Sequence, residues 1–234
     1  MKLMYLVMFD IEGTLVKSND IDTICFCKAI KEVLGIDKID TDWTHYSYVT
    51  DSGITSEIIE KFLGRKAIEP DLRAVHDSYL KKLHYEAENN PHYFQANPGA
   101  SELMASLCSM ENIAVALATG CWQNSALLKL ETAGIVFKNI PLASADDSYE
   151  RESIMIRAYE RAKAHENRAS FDSVTYVGDA IWDLTASNNL GYSFIAVGTR
   201  NQTELRNRGV IHIMDDLIDK DYFFKILGIT NNYV

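Results

Sequence analysis

The chain has 234 residues, 47% of them hydrophobic and 24% charged, and carries a formal net charge of −10. This composition is typical of a globular protein with a sizeable core, and the length allows one ordinary domain and a second, smaller one. The acidic balance argues against nucleic acid or an anionic membrane as the main partner. The longest uncharged apolar stretch, residues 3–9, is too short to span a bilayer and lacks the flanks of a signal peptide, so we expect a cytoplasmic protein.

Short apolar runs alternate with helical patterns over most of the chain. Strand-like runs lie at residues 3–9, 113–118, 173–177, 194–197 and 210–213. Amphipathic periodicity predicts helices at residues 122–133, 153–165 and 183–189. Strands that alternate with helices predict an α/β fold, in which a mainly parallel sheet is covered on both faces.

The segment from about residue 16 to about residue 95 breaks this alternation. Its patterns are helical, at residues 24–34, 55–63 and 71–88, and residues 51–53 are expected to form a loop between two of these helices. An insertion of this length is too long for a simple crossover between strands. We therefore predict a helical cap domain at residues 16–95 and a core formed by residues 1–15 and 96–234.

Acidic residues follow two of the predicted strands. Asp10 and Glu12 come directly after the first strand, and Asp179 and Asp183 follow the run at residues 173–177. Because the carboxyl ends of parallel strands meet at one edge of an α/β sheet, we expect the four carboxylates to converge there. Carboxylates held this close repel one another unless a cation compensates them, and an oxygen-only ligand set favours Mg²⁺. The sequence therefore predicts a magnesium site formed by these four residues.

Small and hydroxyl-bearing residues lie at the same strand ends. Thr119 and Gly120 follow the run at residues 113–118, and Gly13 and Thr14 follow the first two acids. A hydroxyl group and an unobstructed backbone N–H at a helix start suit the binding of a phosphate group. Each of these short motifs alone also fits an ordinary turn. They indicate phosphate binding because they share a sheet edge with the carboxylates.

In chain order, these motifs resemble those of the haloacid-dehalogenase superfamily. Residues 10–15 (Asp-Ile-Glu-Gly-Thr-Leu) resemble its first motif, residues 117–120 (Leu-Ala-Thr-Gly) its second, and residues 178–183 (Gly-Asp-Ala-Ile-Trp-Asp) its fourth. The order and separation match over nearly the whole chain, and the inserted cap is similar to that of phosphoglycolate-phosphatase-like members. The resemblance implies a Rossmann-like core, a mobile helical cap and hydrolysis of phosphomonoesters.

The resemblance also implies roles for individual residues. Asp10 would be the nucleophile that forms an aspartyl-phosphate, and it would bind Mg²⁺ together with the backbone carbonyl of Glu12 and the carboxylate of Asp179. Asp183 would hold a metal-bound water or orient the other ligands. The residues expected to bind the phosphoryl group are Thr119, Gly120, Gly13 and Thr14.

Two residues depart from the pattern of this family. Its third motif usually supplies a Lys, whereas Arg151 is the nearest cation here; we predict that Arg151 contacts phosphate or Asp10, with Lys129 or Lys138 as alternatives. Glu12 stands where most family phosphatases have the Asp that protonates the leaving oxygen and then activates water. Glu keeps the acid chemistry but adds a methylene, as in the family's enolase-phosphatases, whose fourth motif differs from the one in this chain.

The cap is expected to select the substrate, because its loops close over the leaving group and expel water. A polar cluster in a loop-like stretch of the cap supplies the candidate leaving-group contacts. These candidates are His45, Asp51 and Ser52, with Tyr46 and Thr50 beside them.

The function predicted from these residues is Mg²⁺-dependent hydrolysis of a small phosphorylated metabolite, such as phosphoglycolate or a sugar phosphate. Three alternatives stay open: a catalytically weakened phosphate-binding or interaction protein on the same scaffold, an enolase-phosphatase-like member and a phosphomutase-like member. The sequence predicts neither the physiological substrate nor the oligomeric state.

Overall fold

The computed structural model describes residues 3–229, and its main layer is a six-stranded parallel sheet. The central strand is β1 (Tyr5–Phe9), which pairs with β4 on one side and β6 on the other. The remaining strands of this sheet are β4 (Ile113–Ala118), β5 (Leu142–Ala143), β6 (Ser173–Gly178), β7 (Ser193–Val197) and β8 (Ile213–Met214), in the spatial order β5-β4-β1-β6-β7-β8. Two further short strands, β2 (Val16–Lys17) and β3 (Gln95–Ala96), form a separate antiparallel pair.

Helices cover both faces of the parallel sheet. They are α4 (Ala100–Cys108), α5 (Gln123–Thr132), α6 (Arg151–His165), α7 (Ile181–Leu190), α8 (Gln202–Asn207) and α9 (Lys220–Ile226). Because successive strand residues point to opposite faces, Val7 and Phe9 of β1 join the apolar cluster that contains α4, α5 and α9, whereas Leu6 and Met8 join the cluster that contains α6. This two-sided burial explains why β1 and β4 are continuously apolar.

The segment between β2 and β3 is helical. It contains α1 (Asn19–Leu34), α2 (Asp51–Leu63) and α3 (Glu69–Asn89), and α1 packs along α3 through the edge-to-face contact of Phe26 with Tyr79. These cap helices share one apolar cluster with the sheet. The predicted fold class, a parallel α/β core with a helical cap inserted after the first strand, is confirmed. The domain boundaries at residues 15/16 and 95/96 stay a prediction.

Several predicted element ends are wrong, and the largest differences lie in the cap. Helix α2 begins at Asp51 rather than at residue 55, because the Thr50 side chain accepts a hydrogen bond from the backbone N–H of Gly53 and caps the helix. The predicted loop at residues 51–53 is therefore the first turn of a helix. Helix α1 begins at Asn19 rather than at residue 24, since its first turn is acidic and lacks the apolar periodicity used to find it.

The register of the sheet sets the position of the strand ends. Phe9 pairs with Leu117 of β4 and with Val177 of β6, so the three central strands finish at the same level. The residues that follow them must then meet at one edge. No helix among the described residues has both the length and the apolar character needed to cross a lipid bilayer.

Candidate active site

Three carboxylates from two neighbouring strand ends converge at the carboxyl edge of the sheet. Asp10 follows β1, while Asp179 follows β6 and Asp183 lies in the first turn of α7. One oxygen from each carboxylate lies within 4.8 Å of the others, and all three side chains are buried. The predicted convergence of these three residues is therefore present in the structure.

Glycines allow the carboxylates to approach the backbone. A Cβ atom at Gly13 would lie 2.3 Å from Oδ2 of Asp179, and Gly13 also has a positive φ of 80°. A Cβ atom at Gly178 would lie 2.5 Å from Oδ2 of Asp183. Because no larger residue fits at either place, the glycines of the first and fourth motifs are needed for the geometry of the carboxylates.

Arg151 places a guanidinium group beside the same carboxylates. It is the first residue of α6 and is only 7% exposed. Its Nη2 atom lies 2.5 Å from Oδ1 of Asp183 and 3.4 Å from Oδ1 of Asp10, and its Nη1 atom lies 2.4 Å from where a Cβ of Gly120 would be. Of the three cations considered from the sequence, Arg151 is the one that the structure brings to Asp10.

The electrostatics of this cluster fit a divalent cation. Burial raises the pKa of Asp10 to about 6, although Arg151 opposes the shift. Burial also raises the pKa of Asp179 well above its usual value, and the carboxylates of Asp183 and Asp10 add to the effect. Oδ1 of Asp10 is buried without a hydrogen-bond partner. A buried oxygen-only cluster with excess negative charge and an open ligand atom is the donor set that Mg²⁺ takes in proteins.

The predicted phosphate-binding residues lie around Asp10. Thr119 is buried directly after β4, and hydrogen bonding from its side chain lowers the pKa of Asp10 against the effect of burial. Gly120 follows it and lies under the Arg151 guanidinium. Thr14 is fully buried, and its hydroxyl has no partner in the structure. Thr119 and Gly120 line the cavity together with Asp10, whereas Gly13 and Thr14 are not among its lining residues; contact of any of the four with a phosphoryl group stays a prediction.

Glu12 takes part in a second, separate cluster of charges. Its Oε1 atom accepts a hydrogen bond from the Ser18 hydroxyl at 2.9 Å, and its Oε2 atom lies 3.0 Å from Nζ of Lys129. Glu12 is not among the carboxylates that lie within 4.8 Å of one another around Asp10. Its predicted contribution to a metal site is therefore restricted to the backbone carbonyl, because the carboxylate is engaged elsewhere.

The start of α2 is docked on the core by buried polar contacts. The backbone N–H of Asp51 donates to the carbonyl of Gly120, and its carboxylate accepts from the N–H of Trp122, both at 2.8 Å. Ser52 accepts from Nε1 of Trp122 at 2.6 Å and donates to the carbonyl of Ala145 at 2.9 Å. Asp51 lines the cavity above Asp10, whereas the hydroxyl of Ser52 is used to hold the cap on the core.

His45 lies apart from these residues. Its side chain is 63% exposed, and its Nδ1 atom lies 2.7 Å from Oδ2 of Asp40 on the outside of the cap. It does not line the cavity of about 580 Å³ that opens between the strand ends and the cap. The charged residues that line this cavity are Asp10, Glu12, Asp20, Asp22, Asp42, Asp51, Asp179, Arg151 and Arg200.

Three residues at this junction were not assigned a role from the sequence: Asp22, Trp122 and Lys129, which was considered only as an alternative to Arg151. Lys129 lies on the same buried face of α5 as Ser125 and Ala126, four and three residues before it. A lysine at that spacing on an apolar face is a signal that a buried carboxylate faces it. Trp122 lies two residues after the second motif, but no local pattern indicates that it contacts rings of the cap.

Solved structures support the fold over nearly the whole chain. A hydrolase from Pseudomonas syringae is 19% identical, with a TM-score of 0.71 and coverage of 97% of this chain and 100% of that chain. A β-phosphoglucomutase from Clostridium difficile is 17% identical, with a TM-score of 0.67 and 96% coverage of both chains. CbbY from Rhodobacter sphaeroides in complex with phosphate is 16% identical, with a TM-score of 0.67 and coverage of 93% and 96%. At these identities the likeness establishes the fold alone.

Sequence comparison establishes the family. The chain matches no curated protein. The model of the family described as haloacid dehalogenase-like hydrolase, however, matches residues 7–197. That range includes the three strand ends, Arg151 and the entire cap, and it exceeds half of the chain. The predicted resemblance is therefore confirmed: the chain belongs to the haloacid dehalogenase-like hydrolases.

Proposed function

We propose that the chain is a Mg²⁺-dependent phosphomonoester hydrolase that acts through an aspartyl-phosphate on Asp10. The observation that carries the proposal is the Oδ1 atom of Asp10, which accepts no hydrogen bond, lies 3.4 Å from Nη2 of Arg151 and is buried beside two further carboxylates at the end of the central strand. A nucleophilic oxygen must not be held by a hydrogen bond, and the transferring group needs cations close by. Both conditions are met at this atom.

The reaction has two steps that use the same residues. In the first step, a bond forms between a carboxylate oxygen of Asp10 and phosphorus, the bond from phosphorus to the leaving oxygen breaks, and Glu12 gives its proton to that oxygen. In the second step, Glu12 takes a proton from water, the water oxygen bonds to phosphorus, and the bond to Asp10 breaks. Phosphate leaves, and both residues return to their starting state.

Other residues of the site hold and neutralise the phosphoryl group. Asp10, Asp179 and Asp183 would hold Mg²⁺, together with the backbone carbonyl of Glu12. When bound, the ion offsets negative charge on the transferring group. Arg151 adds a fixed guanidinium beside Asp10 and Asp183, and its Nε atom is a buried donor without a hydrogen-bond partner. Thr119 and Gly120 supply a hydroxyl and a backbone N–H for phosphoryl oxygens.

The cavity lining favours a leaving group without a negative charge. The cap contributes the carboxylates of Asp20, Asp22, Asp42 and Asp51 to the cavity wall. Beyond Arg151, the cation that lines the wall is Arg200, and it lies 3.7 Å from Asp20. A second phosphate or a carboxylate on the substrate would meet four cap carboxylates and, apart from Arg151, one lining arginine that already faces Asp20. A sugar phosphate with neutral hydroxyl groups therefore fits better than phosphoglycolate.

A phosphate-release screen with and without Mg²⁺ tests the proposal. Three two-carbon esters form a matched set, because phosphoglycolate, 2-hydroxyethyl phosphate and phosphoethanolamine carry a negative, a neutral and a positive leaving group. We expect Mg²⁺-dependent turnover that is slowest for phosphoglycolate. Asp10→Asn should abolish turnover without lowering the thermal stability, and Asp77→Asn, at an exposed carboxylate of the cap, is the matched control. Turnover retained in Asp10→Asn contradicts the proposal.

One observation favours a second candidate, a phosphate-binding protein of weakened activity. The Glu12 carboxylate accepts a hydrogen bond from Ser18 and pairs with Lys129, so both of its oxygens have a partner before any substrate binds. Glu12→Asp separates the two candidates. A loss of rate supports an enzyme built around Glu, whereas a large gain supports a site that has been repurposed for binding.

A further inference from the structure

Lys129 is a fully buried cation that the proposed reaction does not use directly. It lies on α5 with 0% exposure. Its Nζ atom lies 3.0 Å from Oε2 of Glu12 and 3.3 Å from Sγ of Cys121, and it forms a close ion pair with Asp22. Burial by itself lowers the pKa of Lys129, but its carboxylate partners outweigh burial and raise that pKa well above the usual value. The ammonium group therefore stays charged.

The partners of Lys129 come from both sides of the cavity. Glu12 and Cys121 belong to strand ends of the core, whereas Asp22 lies on cap helix α1. Tyr79, on cap helix α3 and fully buried, donates its hydroxyl hydrogen bond to Asp22. One ammonium group thus connects two cap helices to the acidic side chain that follows the nucleophile.

The orientation of Glu12 depends on this connection. Both of its carboxylate oxygens are engaged, one by Ser18 and the other by Lys129 with a weaker contact to Cys121 at 3.6 Å. Glu carries one methylene more than Asp and has an additional rotatable bond, so it needs more restraint to reach a defined geometry. Lys129 is the one charged donor among the described contacts of Glu12.

Lys129 does not take the place of the lysine of the third motif. That place is filled by Arg151, which approaches Asp10 from the start of α6. The described ion pairs of Lys129 are with Glu12 and Asp22 and do not include Asp10. A role for Lys129 in the reaction must therefore act through Glu12.

We propose that Lys129 is a positioning residue that orients Glu12 for proton transfer to the leaving group, and that Asp22 and Tyr79 of the cap hold Lys129 in place. The inference rests on the proposed function, because it assigns a proton to Glu12. It adds that the acid depends on the cap, because two cap helices hold the ammonium group of Lys129 that orients Glu12.

Two aryl phosphates measure the proton transfer. The leaving group of 4-nitrophenyl phosphate departs without a proton, whereas that of phenyl phosphate needs one. The ratio of their kcat/KM values reports the first step alone, since leaving-group departure precedes hydrolysis of the aspartyl-phosphate. In Lys129→Met we expect kcat/KM for phenyl phosphate to fall at least about tenfold further than for 4-nitrophenyl phosphate, within the range of a general acid. Lys138→Met, at an exposed lysine of the core, should leave the ratio unchanged.

A double variant separates positioning from a structural role. If Lys129 acts through Glu12, then Lys129→Met added to Glu12→Gln should cause no further loss for phenyl phosphate. Glu12→Gln also removes one of the two carboxylates that Lys129 neutralises, so this double variant is expected to fold even where Lys129→Met alone does not. Losses that multiply in the double variant, or an equal loss for both esters in Lys129→Met, would overturn the proposal.

The wild-type protein distinguishes this inference from the proposed function. Absence of Mg²⁺-dependent turnover on both aryl phosphates overturns the phosphatase itself and with it the role of Lys129. If the wild type turns over the esters but the losses multiply in the double variant, only the role of Lys129 is overturned. Asp22→Asn and Tyr79→Phe should shift the ester ratio in the same direction as Lys129→Met, by progressively smaller factors; an unchanged ratio in Asp22→Asn would contradict the part assigned to the cap.

Discussion

The strand-end carboxylates and the Lys129 cluster both bury charges at the same cavity, but they balance those charges differently. Asp10, Asp179 and Asp183 face one guanidinium, that of Arg151, so when all three are ionised they carry two negative charges more than the chain neutralises. Glu12 and Asp22 share the ammonium of Lys129, which is contributed by the chain itself. We therefore expect the first cluster to take up an external cation or protons, whereas the second has its cation in the folded structure. Changes to the first should affect turnover most, and changes to the second should affect stability and the proton transfer.

The largest effect is expected at the strand-end carboxylates. Asp179→Asn removes one of the three carboxylates proposed to hold Mg²⁺, so turnover should fall at least about a thousandfold, because a metal ion supplies several kcal/mol of charge stabilisation. The same change should leave the free energy of unfolding in EDTA unchanged or higher, since it relieves repulsion between carboxylates. Activity titrations with MgCl₂ and urea unfolding measure the two quantities. A large loss of stability in EDTA would contradict the assignment of Asp179 to an external cation.

Removal of the buried ammonium group should reduce stability by about 3–5 kcal/mol, because Lys129→Met leaves the buried Asp22 and the partly buried Glu12 without a cation. A second ion pair also joins the core to helix α1, between Arg200 and Asp20, but both side chains are exposed. Arg200→Met should therefore cost less than about 1 kcal/mol, and it is the matched control. Adding Asp22→Asn to Lys129→Met should recover part of the loss. Urea unfolding measures these losses. Equal losses in Lys129→Met and Arg200→Met would show that burial does not make the ion pairs of Lys129 contribute more to stability than the exposed pair.

The raised pKa of Asp10 predicts a smaller, pH-dependent effect. Burial raises this pKa to about 6, whereas an unfolded Asp has a pKa of about 3.9. Between about pH 4 and pH 6 the folded protein keeps a proton that the unfolded chain has lost, so this contribution to stability is present at low pH and disappears as the pH rises. In EDTA, the free energy of unfolding of the wild type minus that of Asp10→Asn should decrease across this window. A difference that stays flat or increases would contradict the assigned shift.

The contacts of the α2 start predict a modest effect. Ser52→Ala removes one acceptor and one donor that join the cap to Trp122 and Ala145, so the free energy of unfolding should fall by about 1–2 kcal/mol. Turnover should change little if Ser52 holds the cap and does not touch the leaving group. A rise in KM at unchanged stability would support the earlier prediction of a substrate contact.

The smallest effect is expected at His45. Its side chain is exposed and pairs with Asp40 outside the cavity, so His45→Ala should change kcat/KM less than about twofold. A larger loss would mean that the segment around His45 moves toward the cavity when substrate binds.

The sequence by itself determined the four longer strands of the sheet, although not the two-residue strand β5, and it determined the order of the strand-end motifs and the convergence of Asp10, Asp179 and Asp183. These features follow from local apolar runs and from the rule that parallel strands end at one edge, so neighbouring residues suffice to predict them. Arg151 was also predicted, because it is the cation nearest to the place of the third motif that the family resemblance implies. Residues 51–53 were predicted wrongly, since a single hydrogen bond from Gly53 to Thr50 decides that they are helical.

Only the tertiary structure decided how the cap meets the core. The ion pairs of Lys129 join residues separated by more than 100 positions in the chain, and the docking of Asp51 on Trp122 spans about 70. No local pattern carries such pairings, because each depends on how two separately formed units pack together. The physical reason is burial: once Lys129 is removed from water, its charge has to find carboxylates, and only the packed cap and core bring Glu12 and Asp22 within its reach.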